Sequence, residues 1–350
     1  MKARVAVFAL VAGGVAIAIA VFVAIRAIRA RSPAPAASES AAARARAELA
    51  QRPHVLFRSL ELEPSDAFGR LEASALEPPS AIERASSARV DAGASCMRVH
   101  FARARSAVRR GLCFVADASP DEHGSTAILR GLDARWTPTW SRSITGIPSR
   151  LRVSPHGALG AATVFVTGHS YDDTSMSTQT LLVDLETGAT IADLEDFEIR
   201  RGDTGERLSD AINLWGVTFA QDDDTFYVTV ARGDTTWLAK GSVSSRALRT
   251  LRENVECPSL SPDERTLAFK KRGTSRADTH LFALDVDALT RGSTADRALP
   301  EERVVDDQVE WLDARTILYK YGMDVWAAGL DDARPPRTFL ERASSPAIVE

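Results

Sequence analysis

The sequence predicts an all-β fold, a six-bladed β-propeller, preceded by one N-terminal hydrophobic helix. Three observations predict it. The first is a repeated sequence motif, in which an extended segment is followed by a Ser-Pro-Asp turn and then by a buried strand. The motif is clearest in residues 257–269. Degenerate copies of this motif begin at Leu151, Val217 and Val309. The tail, residues 344–349, resembles the first strand of the motif. Repeated four-stranded units of this size are typical of propellers.

The first segment of the chain is hydrophobic. Residues 5–25 contain no charged side chain, and about 20 apolar residues suffice to cross a bilayer as a helix. We therefore predict a short cytoplasmic lead at residues 1–4 and a transmembrane anchor or signal peptide at residues 5–28. The length favours an anchor over a cleaved signal, whose apolar region is usually shorter.

The next segment, residues 29–52, is rich in Ala, Pro and Arg. It could form a short helix, but it has almost no apolar stripe, so we interpret it as a linker. The propeller is predicted to occupy residues 53–350. Residues 344–350 are predicted to supply the inner strand of the first blade, because such closure removes the open edge between the first and last blades.

Six segments align as the second strand of a blade, each with a short apolar core between turn signals. Their spacing is unequal, which indicates loops of different lengths on a shared frame. The aligned central residues are Phe57, Phe114, Ala162, Val228, Phe269 and Tyr319.

Two of the three cysteines are candidates for a disulfide. Cys96 and Cys113 lie in successive strand-like segments, and a hairpin centred near Ala104 and Arg105 would place them opposite each other. Facing residues of paired strands are close enough for a disulfide. Two buried thiols that pack as small apolar groups would explain the same pattern. Cys257 has no Cys or His at metal-ligand spacing, so a zinc site is not expected.

The net charge and the motifs that the sequence lacks exclude some classes of function. The formal net charge of −4 lacks the basic excess of a nucleic-acid-binding protein. No phosphate-binding glycine loop, paired His ligands or dinucleotide fingerprint is present in the sequence. We therefore expect no catalytic residues, no metal and no cofactor, and we expect that the chain is not an enzyme.

The channel rim is the strongest candidate site in the sequence. Alignment on the Ser-Pro position brings polar and aromatic residues to the point where the first strands begin, at one mouth of the central channel. An aromatic side chain among charges is a reasonable partner-binding surface. The predicted rim consists of Arg150, Arg152, Trp215, Glu256, Asp306, Asp307 and Gln308.

Several motifs carry a family resemblance. The sharpest are residues 254–263, residues 268–272 and residues 305–312. With these motifs, residues 53–350 resemble the TolB-like β-propeller proteins, and most closely the TolB-like translocation proteins of actinobacterial type. The resemblance implies a six-bladed propeller outside the cytoplasm that works through protein contact and without a cofactor.

We therefore expect an exported, membrane-tethered module that binds a cell-envelope protein or another ligand. It would be a single-pass protein anchored through residues 5–28, or a secreted one if the signal is cleaved. The count of Lys and Arg around the span favours the opposite orientation, but the resemblance favours export. The alternative is an envelope hydrolase or lyase that uses the channel mouth. An enzyme should show buried, hydrogen-bonded carboxylates or His there, whereas a binding module should show an exposed mixed or apolar patch.

Overall fold

A computed structural model describes most of the chain from residue 36 onward. The described residues are 36–62, 67–76, 89–103, 109–116, 126–167, 176–209, 212–275, 277–331 and 334–350. The predicted lead and hydrophobic span, residues 1–28, lie outside these ranges. Within the ranges, no helix combines the length and the apolar character needed to cross a bilayer.

The chain folds into six sheets, which are the six predicted blades. Blade 1 contains β1 (His54–Ser59), β2 (Arg70–Ala75), β3 (Val90–Ser95) and the C-terminal strand β26 (Ala343–Val349). Blade 2 contains β4 (Arg98–Phe101), β5 (Gly111–Ala116), β6 (Thr126–Leu132) and β7 (Pro138–Thr145). Blade 3 contains β8 (Ile147–Val153), β9 (Leu159–Thr167), β10 (Met176–Asp184) and β11 (Thr190–Asp193).

The remaining blades follow in chain order. Blade 4 contains β14 (Ile212–Phe219), β15 (Thr225–Arg232), β16 (Thr235–Ser242) and β17 (Ala247–Glu253), extended by β12 (Glu198–Arg200) and β13 (Arg207–Leu208). Blade 5 contains β18 (Glu256–Leu260), β19 (Thr266–Arg272), β20 (Thr279–Asp285) and β21 (Arg297–Ala298). Blade 6 contains β22 (Glu310–Trp311), β23 (Thr316–Tyr321), β24 (Asp324–Gly329) and β25 (Arg337–Leu340). The helices are α1 (Ala36–Leu49), a 3-10 turn (Leu194–Asp196) and α2 (Val286–Thr290).

The second strands form the core of the ring. All six predicted central residues lie on second strands, and each is almost completely buried. A second strand has a paired strand on each side and a neighbouring blade against each face, so its residues are apolar almost without alternation. This local composition is the reason that the blade pattern could be predicted.

The tail closes the ring. Strand β26 pairs antiparallel with β1, with His54 opposite Val349 and Leu56 opposite Ala347. Blade 1 is therefore built from both ends of the described chain. Arg103, which follows β4 of blade 2, links the C-terminus to blade 6. Its guanidinium donates to the Glu350 carboxylate and to the backbone carbonyls of Trp311 and Leu312.

The linker differs from the prediction at its C-terminal end. We interpreted residues 29–52 as an unpacked tether, but α1 ends in a residue, Leu49, that is buried among Leu56, Leu71 and Trp136. The compact unit accordingly begins at Arg46 rather than at residue 53. A single Leu is enough to dock one helical turn, and one residue leaves no periodic stripe in the sequence.

The two cysteines Cys96 and Cys113 form a disulfide with a Cα–Cα distance of 5.5 Å. Their geometry is not the predicted hairpin. In the ladder between β4 and β5, Val99 rather than Cys96 is opposite Cys113. Cys96 precedes β4, and its backbone N–H donates to the carbonyl of Gly69 in blade 1. The disulfide therefore joins blade 2 to the edge of blade 1.

A buried carboxyl at the edge of blade 3 makes the stability of the propeller depend on pH. Glu195 accepts a hydrogen bond from the Thr180 backbone N–H at 3.0 Å. Burial, together with the adjacent Asp193 carboxylate, raises the pKa of Glu195 from 4.5 to about 10. The folded protein therefore holds a proton on Glu195 that the unfolded chain releases above pH 4.5, so this residue makes the fold less stable as the pH rises between these two values.

We predict that Glu195→Gln, which imitates the protonated acid, becomes progressively more stable than the wild type as the pH rises. Between pH 5 and pH 9 the two pKa values imply a gain of up to about 5 kcal/mol in the free energy of unfolding, because each pH unit contributes about 1.4 kcal/mol. Urea titrations at both pH values measure it. Glu198→Gln on the exposed edge is the matched control and should show no such trend. A difference between Glu195→Gln and wild type that is the same at both pH values would contradict the assignment.

Candidate functional site

The first strands line the central channel and begin at one face of the ring, which we call the mouth face. One cavity is lined by residues at the starts of first strands, such as Arg98, Arg150 and Pro346. A second cavity at the opposite face is lined by residues at their ends, such as Pro155 and Pro262. Because each blade is antiparallel, the turns between second and third strands also lie at the mouth face.

A buried ionic cluster, His100, Arg152 and Glu310, lies between the two cavities. Its members come from the first strands of blades 2, 3 and 6. Glu310 Oε2 lies 2.6 Å from Arg152 Nη1 and 3.1 Å from His100 Nε2. Arg152 also donates to the carbonyl of Val309 at 3.1 Å. The cluster joins three blades across the channel axis.

The hydrogen bonds fix the tautomer of His100. Its Nδ1 accepts the backbone N–H of Val153 at 3.0 Å, so the neutral ring carries its proton on Nε2, which lies 3.1 Å from Glu310 Oε2 and 2.8 Å from Arg152 Nη1. Burial and the Arg152 charge lower the pKa of His100. Burial alone would raise the pKa of Glu310, but its two cluster partners outweigh burial and lower it. The cluster therefore pairs one carboxylate with one guanidinium and a neutral imidazole.

The cluster closes the channel. His100, Arg152 and Glu310 line both cavities, whose volumes are about 60 Å³ at the far face and about 30 Å³ at the mouth face. Pockets for small organic ligands usually measure several hundred Å³. Each cavity is large enough for one or a few water molecules only. The two channel cavities are therefore too small for an organic ligand in this structure.

The predicted rim residues lie at the mouth or in the central cluster below it, with one exception. Asp306 lies 2.5 Å from Lys270 Nζ and 3.5 Å from Arg150. Gln308 reaches across the channel and donates to the carbonyls of Val217 and Pro258, at 3.0 and 2.9 Å.

Two predicted carboxylates of the rim are buried. Asp307 pairs with Arg98 at 3.8 Å and accepts the Lys320 backbone N–H at 2.9 Å. Glu256 pairs with Arg272 and lies 3.7 Å from Lys270. Arg152 belongs to the central cluster rather than to the rim. The rim is therefore a network of ion pairs, not a row of solvated charges.

Trp215 is the exception. It is half-buried on β14 and does not line the mouth cavity. The pairing of β14 with β15 shifts register between Trp215 and Thr218, and Gly216 between them has a φ of +71°. A bulge of this kind changes the direction of the preceding side chain. A Cβ on Gly216 would lie 2.7 Å from the Cα of Cys257, so only Gly fits there.

The predicted rim left out four functional candidates: Arg98, His100, Lys270 and Glu310. A signal was present for three of them. Successive inward positions of a strand are two residues apart, and the pairs Arg98/His100, Arg150/Arg152 and Gln308/Glu310 repeat polar residues at that spacing. Polar residues at this period in short, otherwise buried strands indicate the lining of a channel. Within the described ranges, no group of three or more His, Cys, Asp or Glu side chains is placed to hold a metal.

The mouth face also carries the apolar surface. Among the described residues, six large apolar side chains are exposed. Each belongs either to a turn between second and third strands or to a connection that leads into a first strand, so all six lie at the mouth face. They are Leu62, Phe68, Ile147, Val304, Tyr321 and Met323.

Comparisons with known proteins identify the fold. No protein-family model and no curated protein matches the sequence. Among solved structures, TolB from Acinetobacter baumannii is similar with a TM-score of 0.52 and 12% identity, over 85% of this chain and 67% of that one. A chain of the nidogen/laminin complex is similar with a TM-score of 0.50 and 15% identity, over 85% and 98%. The chain is thus a six-bladed propeller of the architecture found in TolB.

The expectation that the chain is not an enzyme is wrong as an exclusion. Solved structures similar to this chain include an oligogalacturonate lyase in complex with manganese, with a TM-score of 0.43 and 9% identity over 76% of this chain and 73% of that one. The central cluster also has the buried, hydrogen-bonded carboxylate and His that we expected of an enzyme. The buried carboxylate and His of this cluster are therefore compatible with catalysis.

Proposed function

We propose that this chain is a TolB-like propeller of actinobacterial type that stands in the cell envelope and binds a protein partner through its mouth face. Residues 5–28 would hold it to the membrane, or direct its secretion if they are cleaved. The partner would be an envelope protein whose contact segment combines apolar side chains with at least one carboxylate.

The one-sided distribution of exposed apolar side chains carries this proposal. Single exposed apolar residues are ordinary, but their concentration on one face is typical of interaction sites. Part of this surface is held in place, because the Arg303 guanidinium lies 4.1 Å from the centre of the Tyr321 ring and 3.9 Å from that of Trp326. Arg and aromatic residues are enriched in the cores of protein interfaces.

Site-specific photo-crosslinking in intact cells that produce the full chain tests the proposal. A photoreactive amino acid replaces Met323 or Phe68 on the mouth face, or Glu186 or Arg246 in turns of the opposite face. We expect discrete crosslinked partners from the first two positions only. The same partners should weaken or disappear when Tyr321→Glu is added. Equal crosslinking from both faces, or crosslinking only from Glu186 and Arg246, would contradict the proposal.

Catalysis in the channel is a second candidate function, because His100 and Glu310 are buried and share a hydrogen bond. Such an enzyme would be a hydrolase or a lyase and would need the mouth to open. Turnover of a panel of p-nitrophenyl esters and of uronic-acid oligosaccharides by the full chain tests it. Activity that His100→Gln removes would support this candidate, and a panel without turnover would count against it.

A further inference from the structure

One exposed carboxylate at the mouth is held by buried cations. The Asp306 side chain is 80% exposed, yet it contacts Lys270 and Arg150, whose side chains are only 4% and 13% exposed. In an ordinary surface ion pair both partners are solvated. Here the cations belong to the fold, and the anion reaches them from solvent.

The cations are fixed and incompletely satisfied. Arg150 lies on β8 and donates to the Ser149 carbonyl at 3.1 Å, and Lys270 lies on β19. The Nε of Arg150 is buried and has no hydrogen-bond partner among the described residues. A buried donor without a partner costs free energy, so this nitrogen favours an additional acceptor.

The charges of the mouth do not balance without Asp306. Four cationic side chains converge there: Arg98, Arg150, Lys270 and Arg272. Among the described residues, two buried carboxylates, Glu256 and Asp307, oppose them, and the buried Cys257 thiol lies against the same cations. Two positive charges therefore remain before Asp306 is counted, and one remains after it. The site can accept an anion in place of Asp306 or in addition to it.

Asp306 can be exchanged for another carboxylate, because the incoming group would keep Lys270 and Arg150 paired. It lies in the connection between β21 and β22, which has no strand structure over residues 299–309. Its adjacent residues Val305 and Asp307 are buried, so only the Asp306 side chain would have to move. The Asp306 carboxylate is solvated already, whereas Lys270 and Arg150 are buried and would be costly to leave without an anion.

We propose that the mouth is a binding site for a carboxylate and that Asp306 is an internal ligand which the incoming carboxylate displaces. The carboxylate would be an acidic side chain or a free chain end of the partner. This inference rests on the proposed function for the identity of that partner. The anion site itself can be tested on the isolated chain.

Chemical rescue of Asp306→Ala tests the site. The full chain in detergent is heated in sodium acetate, sodium phosphate or sodium chloride at equal ionic strength. We expect acetate to raise the melting temperature of Asp306→Ala, with a half-maximal concentration about tenfold lower than for wild type, because the vacated cations gain charge-assisted hydrogen bonds. Adding Lys270→Met to Asp306→Ala should abolish the response to acetate.

Asp203→Ala is the matched control, since Asp203 pairs with Arg201 at the outer edge of blade 4 and does not line the mouth cavity. It should respond to acetate as wild type does. If Asp306→Ala does not fold, Asp306→Asn gives the same comparison. Equal acetate responses in the Asp306 variants, Asp203→Ala and wild type would overturn the proposal. A response to phosphate but not to acetate would overturn the assignment to a carboxylate.

The two proposals fail differently. Rescue by acetate without crosslinks at Met323 or Phe68 would support the anion site and contradict partner binding at the mouth face. Crosslinks at those positions without rescue by acetate would support partner binding at the mouth face and contradict the anion site.

Discussion

Truncation after Arg342 is expected to lower the free energy of unfolding by about 6 kcal/mol, because it removes the buried side chains of Ala347, Ile348 and Val349 together with a whole ladder of β1. Most domains are stable by only about 5–15 kcal/mol. The truncated chain should therefore unfold below physiological temperature or lose its cooperative transition. Calorimetry of wild type and truncated chain measures the change. The truncation also leaves β1 as an unpaired edge strand, which favours aggregation.

Complementation provides the control for this truncation. A synthetic peptide of residues 343–350, added to the truncated chain, should restore a cooperative transition by pairing with β1. The same peptide with Ile348→Asp should not, because Ile348 is buried in the core between blades 1 and 6. A truncated chain with a wild-type melting curve would show that the first blade does not need the tail.

The second large effect concerns the central cluster. Glu310→Ala should lower the free energy of unfolding by about 3–5 kcal/mol, because it leaves the Arg152 charge buried without its carboxylate. The attraction between Glu310 and Arg152 is not the main contribution to this loss of stability. The cost arises from removing one partner of a desolvated pair. Urea titration at pH 7 measures the loss.

Two further variants separate charge from packing. Replacing both partners, as Glu310→Met with Arg152→Met, should recover most of the lost stability, because apolar replacements of buried pairs are often tolerated. Glu198→Ala, which breaks the exposed pair with Arg200, should cost less than about 1 kcal/mol. A loss below about 1 kcal/mol for Glu310→Ala would mean that water reaches Arg152 in the channel.

The blade pattern could be predicted because it is local. Residues such as Phe57 and Tyr319 lie in short apolar strands between turns, and neighbouring blades cover both faces of these strands. The Ser-Pro-Asp turn is local as well, since Ser261 Oγ donates to Asp263 and accepts the Thr266 N–H.

Register and additions to sheets could not be predicted in the same way. The hairpin of β4 and β5 places Val99 rather than Cys96 opposite Cys113, because the contact that holds Cys96 comes from another blade. Strand β12 pairs in parallel with β17, with Glu198 opposite Ala247. No turn connects two parallel neighbours, so nothing in the local sequence marks that pairing.

The sequence by itself determined the six repeated strand units, because burial on both faces of the second strands gives runs of consecutive apolar residues. Only the tertiary structure decided which charges meet. His100 and Glu310 are separated by 210 positions, yet their side chains share one hydrogen bond. Their contact depends on the ring that brings six first strands to one axis, and electrostatic energy depends on that distance rather than on position in the chain.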